Sequence, residues 1–135
     1  MDLSQAQSAL AAVLAHATSL GVAVSCSVVD GAGNEVLTAR MPGAPSFTPH
    51  VARTKARTAV ALRMDSAEVA GLAEAYPDLI PVIDEQMPFT VTTLGGGVLV
   101  KAGNAVLGAI GVSGATPSQD TECARAAVDA TGLAS

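Results

Sequence analysis

Lys55, His50 and Asp120 are the residue types from which proton-transfer chemistry is built, and Lys55 has the most telling position. On a helical wheel over 48–64 the apolar sector is Val51, Ala52, Ala56, Ala59 and Leu62, and Lys55 falls inside it. Its ammonium is therefore expected to point inward, where it must be paired or lose its charge. Three roles stay open: a cation that holds a ligand carboxylate, an acid/base group, or a structural partner of Asp30 or Asp120. A fourth is a stem that snorkels to the rim. On the opposite face, His50, Arg53 and Arg57 recur at i, i+3 and i+7. That strip is either a receiver of propionates or phosphates or a solvated outer face. His50 lies beside the helix start, where the dipole disfavours a cation and keeps the imidazole neutral.

The strands raise a related question. Ser25 and Ser27 fall on one side of a first hairpin, and Ala109, Gly111 and Ser113 on one side of the last strand. Such small side chains mean either a helix packed at close range or a cavity whose hydroxyls orient a ligand. Gly95-Gly96-Gly97 precedes a strand rather than a helix, so it lacks the helix dipole of a phosphate loop. Gly108, Gly111 and Gly114 lie in and after a strand and are no dinucleotide fingerprint. Asp120 and Glu122 open a helix, where carboxylates are favoured anyway, although Asp120 is near enough to Ser113-Gly114 to reach the same pocket.

The elements that must position these residues follow from periodicity. Residues 4–20 read as a helix capped by Ser4 and ended by Gly21, followed by a strand over 22–29, a turn at 30–34 and a partner strand over 35–40. Thr48-Pro49 opens a helix running to about Met64, and a shorter one covers about 66–74. The three prolines of 76–92 suggest loop with one turn of helix or a short strand. A second hairpin over 96–101 and 105–113 and a helix over 118–131 close the chain. Hairpins separated by helices give an α+β domain, an antiparallel sheet flanked by helices, in a single unit over 1–135.

Composition narrows the function classes. The 135 residues are 50% hydrophobic but only 2% aromatic, so the core is built from small aliphatic pieces. A net charge of −5 with no basic run gives nucleic acid no electrostatic footprint, and the aromatic platforms of single-strand binders are missing. Asp2 stands where a secretory signal needs cations, and no apolar run is long enough for a membrane span, so a soluble cytoplasmic protein is expected. Cys26 and Cys123, without metal-site spacing, read as two reduced thiols.

Several segments in order carry a resemblance: Val28-Val29-Asp30-Gly31-Ala32-Gly33, Arg40-Met41, Lys55-Ala56-Arg57-Thr58-Ala59, Gly95-Gly96-Gly97, and Gly108 to Ala115 with Gln119-Asp120. Together they resemble the HbpS/GlcG family, which includes the C-terminal domain of PduO-type cobalamin adenosyltransferases. The resemblance implies a profilin-like fold, assembly into homo-oligomers and, for some members, binding of haem or a related tetrapyrrole in a redox-linked or sensory role. The expected partners are thus other copies of the chain and a small-molecule ligand, not nucleic acid or membrane. Lys55, Arg40, Ser113, Gly96, Gly97 and Arg57 form the expected ligand-binding set. His16 lies on a flank of the first helix with Ala9, Ala12 and Leu20, which suggests a second packed surface supplied by another copy. Two such histidines meeting across a two-fold axis would ligate one haem iron, and the alternative is a partly exposed bystander. A haem reading has no CxxCH and few aromatics to support it, and Met64 and Met87 are only remote alternative ligands. The other functional reading is an enzyme, without a cofactor, doing acid/base chemistry on an oxygenated metabolite through Lys55, His50 and Asp120, with Ser113 orienting the substrate.

Overall fold

Cys26, Val28, Val98, Val100, Ile110 and Val112 alternate along the chain with Ser25, Ser27, Gly97, Leu99, Ala109 and Gly111. Alternation puts the first set on one side of a sheet and the second on the other. The computed structural model describes residues 1–131, and in it these two faces organise the molecule. The elements run α1 (Leu3–Leu20), β1 (Ser25–Asp30), β2 (Glu35–Arg40), α2 (Thr48–Leu62), α3 (Ser66–Ala75), α4 (Leu79–Gln86), β3 (Gly97–Ala102), β4 (Ala105–Ser113) and α5 (Pro117–Thr131). The sheet is antiparallel with order β2-β1-β4-β3, which makes this the expected α+β fold. The last four residues of the expected 1–135 unit lie outside the described residues.

On the aliphatic face, α1 and α5 bury Ala6, Ala9, Val13, Ala17, Cys123, Ala124, Ala127 and Val128 against the strands. On the small-residue face, α2 packs Ala56 and Ala59 on Val29, Leu99 and Ala109. Here Ser27, Gly111 and Gly97 form one row across three strands. A Cβ at Gly111 would stand 2.0 Å from the carbonyl oxygen of Ala52, and one at Gly97 would stand 2.3 Å from that of Lys55. The α2 backbone thus rests directly on the sheet, and close packing is the answer to the small side chains in this row.

Several boundaries differ from the sequence-based expectation. Helix α1 is capped by Asp2, whose carboxylate accepts from the Gln5 amide while the Gln5 side chain accepts from the Asp2 amide. This reciprocal box starts the helix earlier and leaves Ser4 inside its first turn. Strand β1 starts at Ser25 rather than Val22 because its ladders to β2 and β4 end there, at Arg40 and Ser113. Helix α2 includes Thr48 and stops at Leu62, with Arg63 in the left-handed conformation at φ 55°. The proline-rich stretch holds a full eight-residue helix, α4. Pro81 falls in its first turn, where a missing N–H costs nothing, and Pro77 and Pro88 lie outside it. Likewise α5 begins at Pro117, one residue before the expected start.

Candidate ligand-binding site

Lys55 sits on the inner face of α2, where Gly97 leaves room for its backbone and Gly96 for its ammonium. Its Nζ donates to the Val112 carbonyl at 2.9 Å and to Asp120 Oδ2 at 3.0 Å. Both side chains are only 2% exposed. The other carboxylate oxygen of Asp120 accepts from the Ala115 amide at 3.0 Å, so one residue in the first turn of α5 ties the β4–α5 loop to the buried ammonium. Of the open roles for Lys55, the geometry shows the ion pair, and the partner is Asp120 rather than Asp30. The Asp30 carboxylate instead accepts from the amides of Ala32 and Asn34 in its own turn.

The pair nevertheless forms the floor of an open cleft of about 300 Å³. Thr48, Val51 and Ser113 line its sides, and Phe47 and Leu94 stand at its mouth, 60% and 49% exposed. The Thr48 hydroxyl is engaged with the Pro45 carbonyl and Ser25 Oγ. Ser113 is buried as a residue, yet its hydroxyl has no hydrogen-bond partner among the described residues and is not sealed from solvent.

The expected site residues therefore divide. Lys55, Asp120 and Ser113 come together in this cleft. Gly96 lies against it as a spacer: a Cβ there would be 2.9 Å from Lys55 Nζ, while Gly97 makes room for the Lys55 backbone. His50 is exposed and is not part of the cleft wall. Arg40 donates from Nη1 to the Ala44 carbonyl at 2.9 Å and fastens the loop before α2. Arg57 faces a different cleft of about 410 Å³, bounded by Asn34 and Met87, with its guanidinium 5.9 Å from the Phe89 ring centre. The cationic strip is broken between these residues, because Arg53 is paired with Glu35 at 2.6 Å. Hydrogen bonds from Thr38 and then Arg53 hold the Glu35 carboxyl below its usual range, against a smaller opposing effect of burial.

His16 lies in the other layer, on α1, 31% exposed, with Nε2 2.6 Å from Glu122 of α5. Of the alanine flank beside it, Ala9 is fully buried within the chain, while Ala12 and Leu20 are only partly buried against the same core as α5. Helix α5 covers part of this flank, and His16, Ala12 and Leu20 keep a partly open edge. Cys26 and Cys123 are both free and buried. Burial, with Cys123 nearby, pushes the Cys26 thiol up to about 12, and burial with Asp120 and Glu122 pushes Cys123 up to about 11, so both stay protonated at neutral pH.

Sequence reasoning missed the apolar mouth. Phe47, one of three aromatics and set in a proline-rich loop just before the Lys55 helix, was the signal available for it.

A family model for haem-degrading HbpS-like proteins matches residues 1–129. The chain belongs to this family. Among its relatives, the corrinoid adenosyltransferase PduO of Salmonella typhimurium is 32% identical over 119 residues, covering 88% of this chain and 35% of that protein. The HbpS-like chain thus spans about a third of that relative's length. Several solved structures share its fold. Klebsiella pneumoniae protein ORFY superposes with a TM-score of 0.90 at 32% identity, covering 100% of this chain and 92% of the other. The PduOC:heme complex superposes with a TM-score of 0.88 at 28% identity, covering 99% and 96%. Among the described residues no helix is long and apolar enough to cross a membrane.

Proposed function

We propose that this chain is an oligomeric small-molecule-binding protein that takes haem or a related tetrapyrrole in a redox-linked or sensory role, with His16 as an axial ligand. One observation carries the reading: nearly the whole chain matches a structure that is a haem complex. His16 fits that role in type and access, since an imidazole nitrogen is a standard ligand of haem iron and this side chain is 31% exposed. Glu122 holds Nε2 in the isolated subunit, so ligation at that nitrogen requires the carboxylate to give way. None of the clefts described above reaches His16, and a flat ring placed there needs a second wall. A second copy, with its own His16 opposite, supplies both that wall and the second ligand. Bound haem would supply the redox chemistry, while the chain supplies ligation and shielding from water.

Titrating the full chain with hemin is the direct test. A red-shifted, sharpened Soret band that is lost in His16→Ala is the expected result. An unchanged hemin spectrum, or the same shift in His16→Ala, overturns the assignment. The enzyme reading draws on the contact between Lys55 and Asp120, but His50 stands apart from them, so binding is the reading the geometry favours.

A further inference from the structure

The cleft over Lys55 and Asp120 is lined by α2 and by the first turn of α5, beyond the end of β4, and α1, which carries His16, contributes no residue to it. At about 300 Å³ it is at the lower limit of small-molecule sites, far from the size of a tetrapyrrole. We propose that it is a second binding site, specific for a small neutral oxygenated compound, an alcohol or ketone with a short carbon chain.

Donor accounting points to an oxygen ligand. An ammonium has three N–H groups, and two of those on Lys55 are used by Val112 and Asp120. The Ser113 hydroxyl, on the same cleft, has no partner among the described residues. Both donors belong to the lining of one cleft, so a ligand bearing a carbonyl or hydroxyl oxygen is the chemistry they would receive.

Charge then selects between ligand classes. Lys55 and Asp120 already neutralise each other at 3.0 Å. A carboxylate ligand would bring a second negative charge beside Asp120 in a poorly solvated place, with no cation left to balance it. A neutral oxygen carries no such cost. The rest of the ligand would meet Val51 and the exposed side chains of Phe47 and Leu94, which suit a few carbons rather than a polar tail.

The test is saturation-transfer NMR on the full chain with butan-2-one, butan-2-ol and butyrate as probes. The two neutral probes are expected to receive saturation, and butyrate to bind at least about tenfold more weakly. Ser113→Ala should weaken butan-2-ol by about three- to tenfold, the loss of one hydrogen bond. Val51→Phe, which fills the cleft from its α2 wall and keeps both charges of the ion pair, should abolish transfer while leaving the melting transition and any hemin spectrum as they were. His16→Ala should bind the neutral probes as the parent does, so this site and the haem site fail or stand separately. No transfer to the parent, butyrate equal to butan-2-one, or undiminished transfer in Val51→Phe overturns the proposal.

Discussion

A lysine and an aspartate, each 2% exposed and 3.0 Å apart, are costly to desolvate and costlier to separate. Removing one partner strands the other charge, so Lys55→Met is expected to lose about 3–5 kcal/mol in urea unfolding. The double variant Lys55→Met/Asp120→Leu removes both charges and is expected to recover most of that loss; if the two losses simply add, the pair is not coupled. Glu35 allows a pH experiment. Its carboxyl is held below its unfolded value, so the stability it contributes is present above the ordinary value of 4.5 and is lost as pH falls through the lower, folded one. Glu35→Gln is therefore expected to flatten the acid side of the melting temperature against pH. The effect should be small, because the side chain is 39% exposed and screened.

The seating of α2 on the sheet is an element-scale property that depends on absent side chains. Gly111 lets the helix backbone rest where any Cβ would meet the Ala52 carbonyl at 2.0 Å. Gly111→Ala must push the helix outward or bend β4. We expect a loss of about 1–3 kcal/mol in chemical denaturation and an altered Lys55 environment, since overpacking a tight contact carries this order of cost. The sequence reading held the alternatives open between close packing and a cavity, and the structure contains both along one face. Packing governs the row Ser27–Gly111–Gly97, and the cleft opens at Ser113, near the end where β4 leaves the sheet.

At the scale of the molecule, the four-stranded sheet separates two layers with different tasks. The α1–α5 layer carries His16 and Glu122, and the Lys55 cleft opens between α2 and the first turn of α5 at the end of the sheet. If haem is shared between two histidines from two copies, native mass spectrometry of the hemin-loaded protein is expected to find one haem for every two chains. One haem per chain would mean that each subunit completes the site by itself. Because neither His16 nor any other α1 residue lines the cleft, probes of the Lys55 cleft and hemin are predicted to bind without displacing one another.

Much of this was legible in the amino-acid order, because local periodicity and turn chemistry act over a few residues. The α+β class, both hairpins, the inward Lys55 and its possible partner Asp120 follow from such patterns, and the family resemblance follows from the glycine-marked segments. Helix α4 was obscured because the position of a proline within a turn decides its effect, and that position depends on where the helix begins. What covers the flank of α1, which of two aspartates meets Lys55, and the separation of Arg40, Arg57 and His50 from the cleft were decided only by tertiary structure. These are contacts between segments distant in the chain, and only the stacking of α1 and α5 on one face and α2 on the other selects among them.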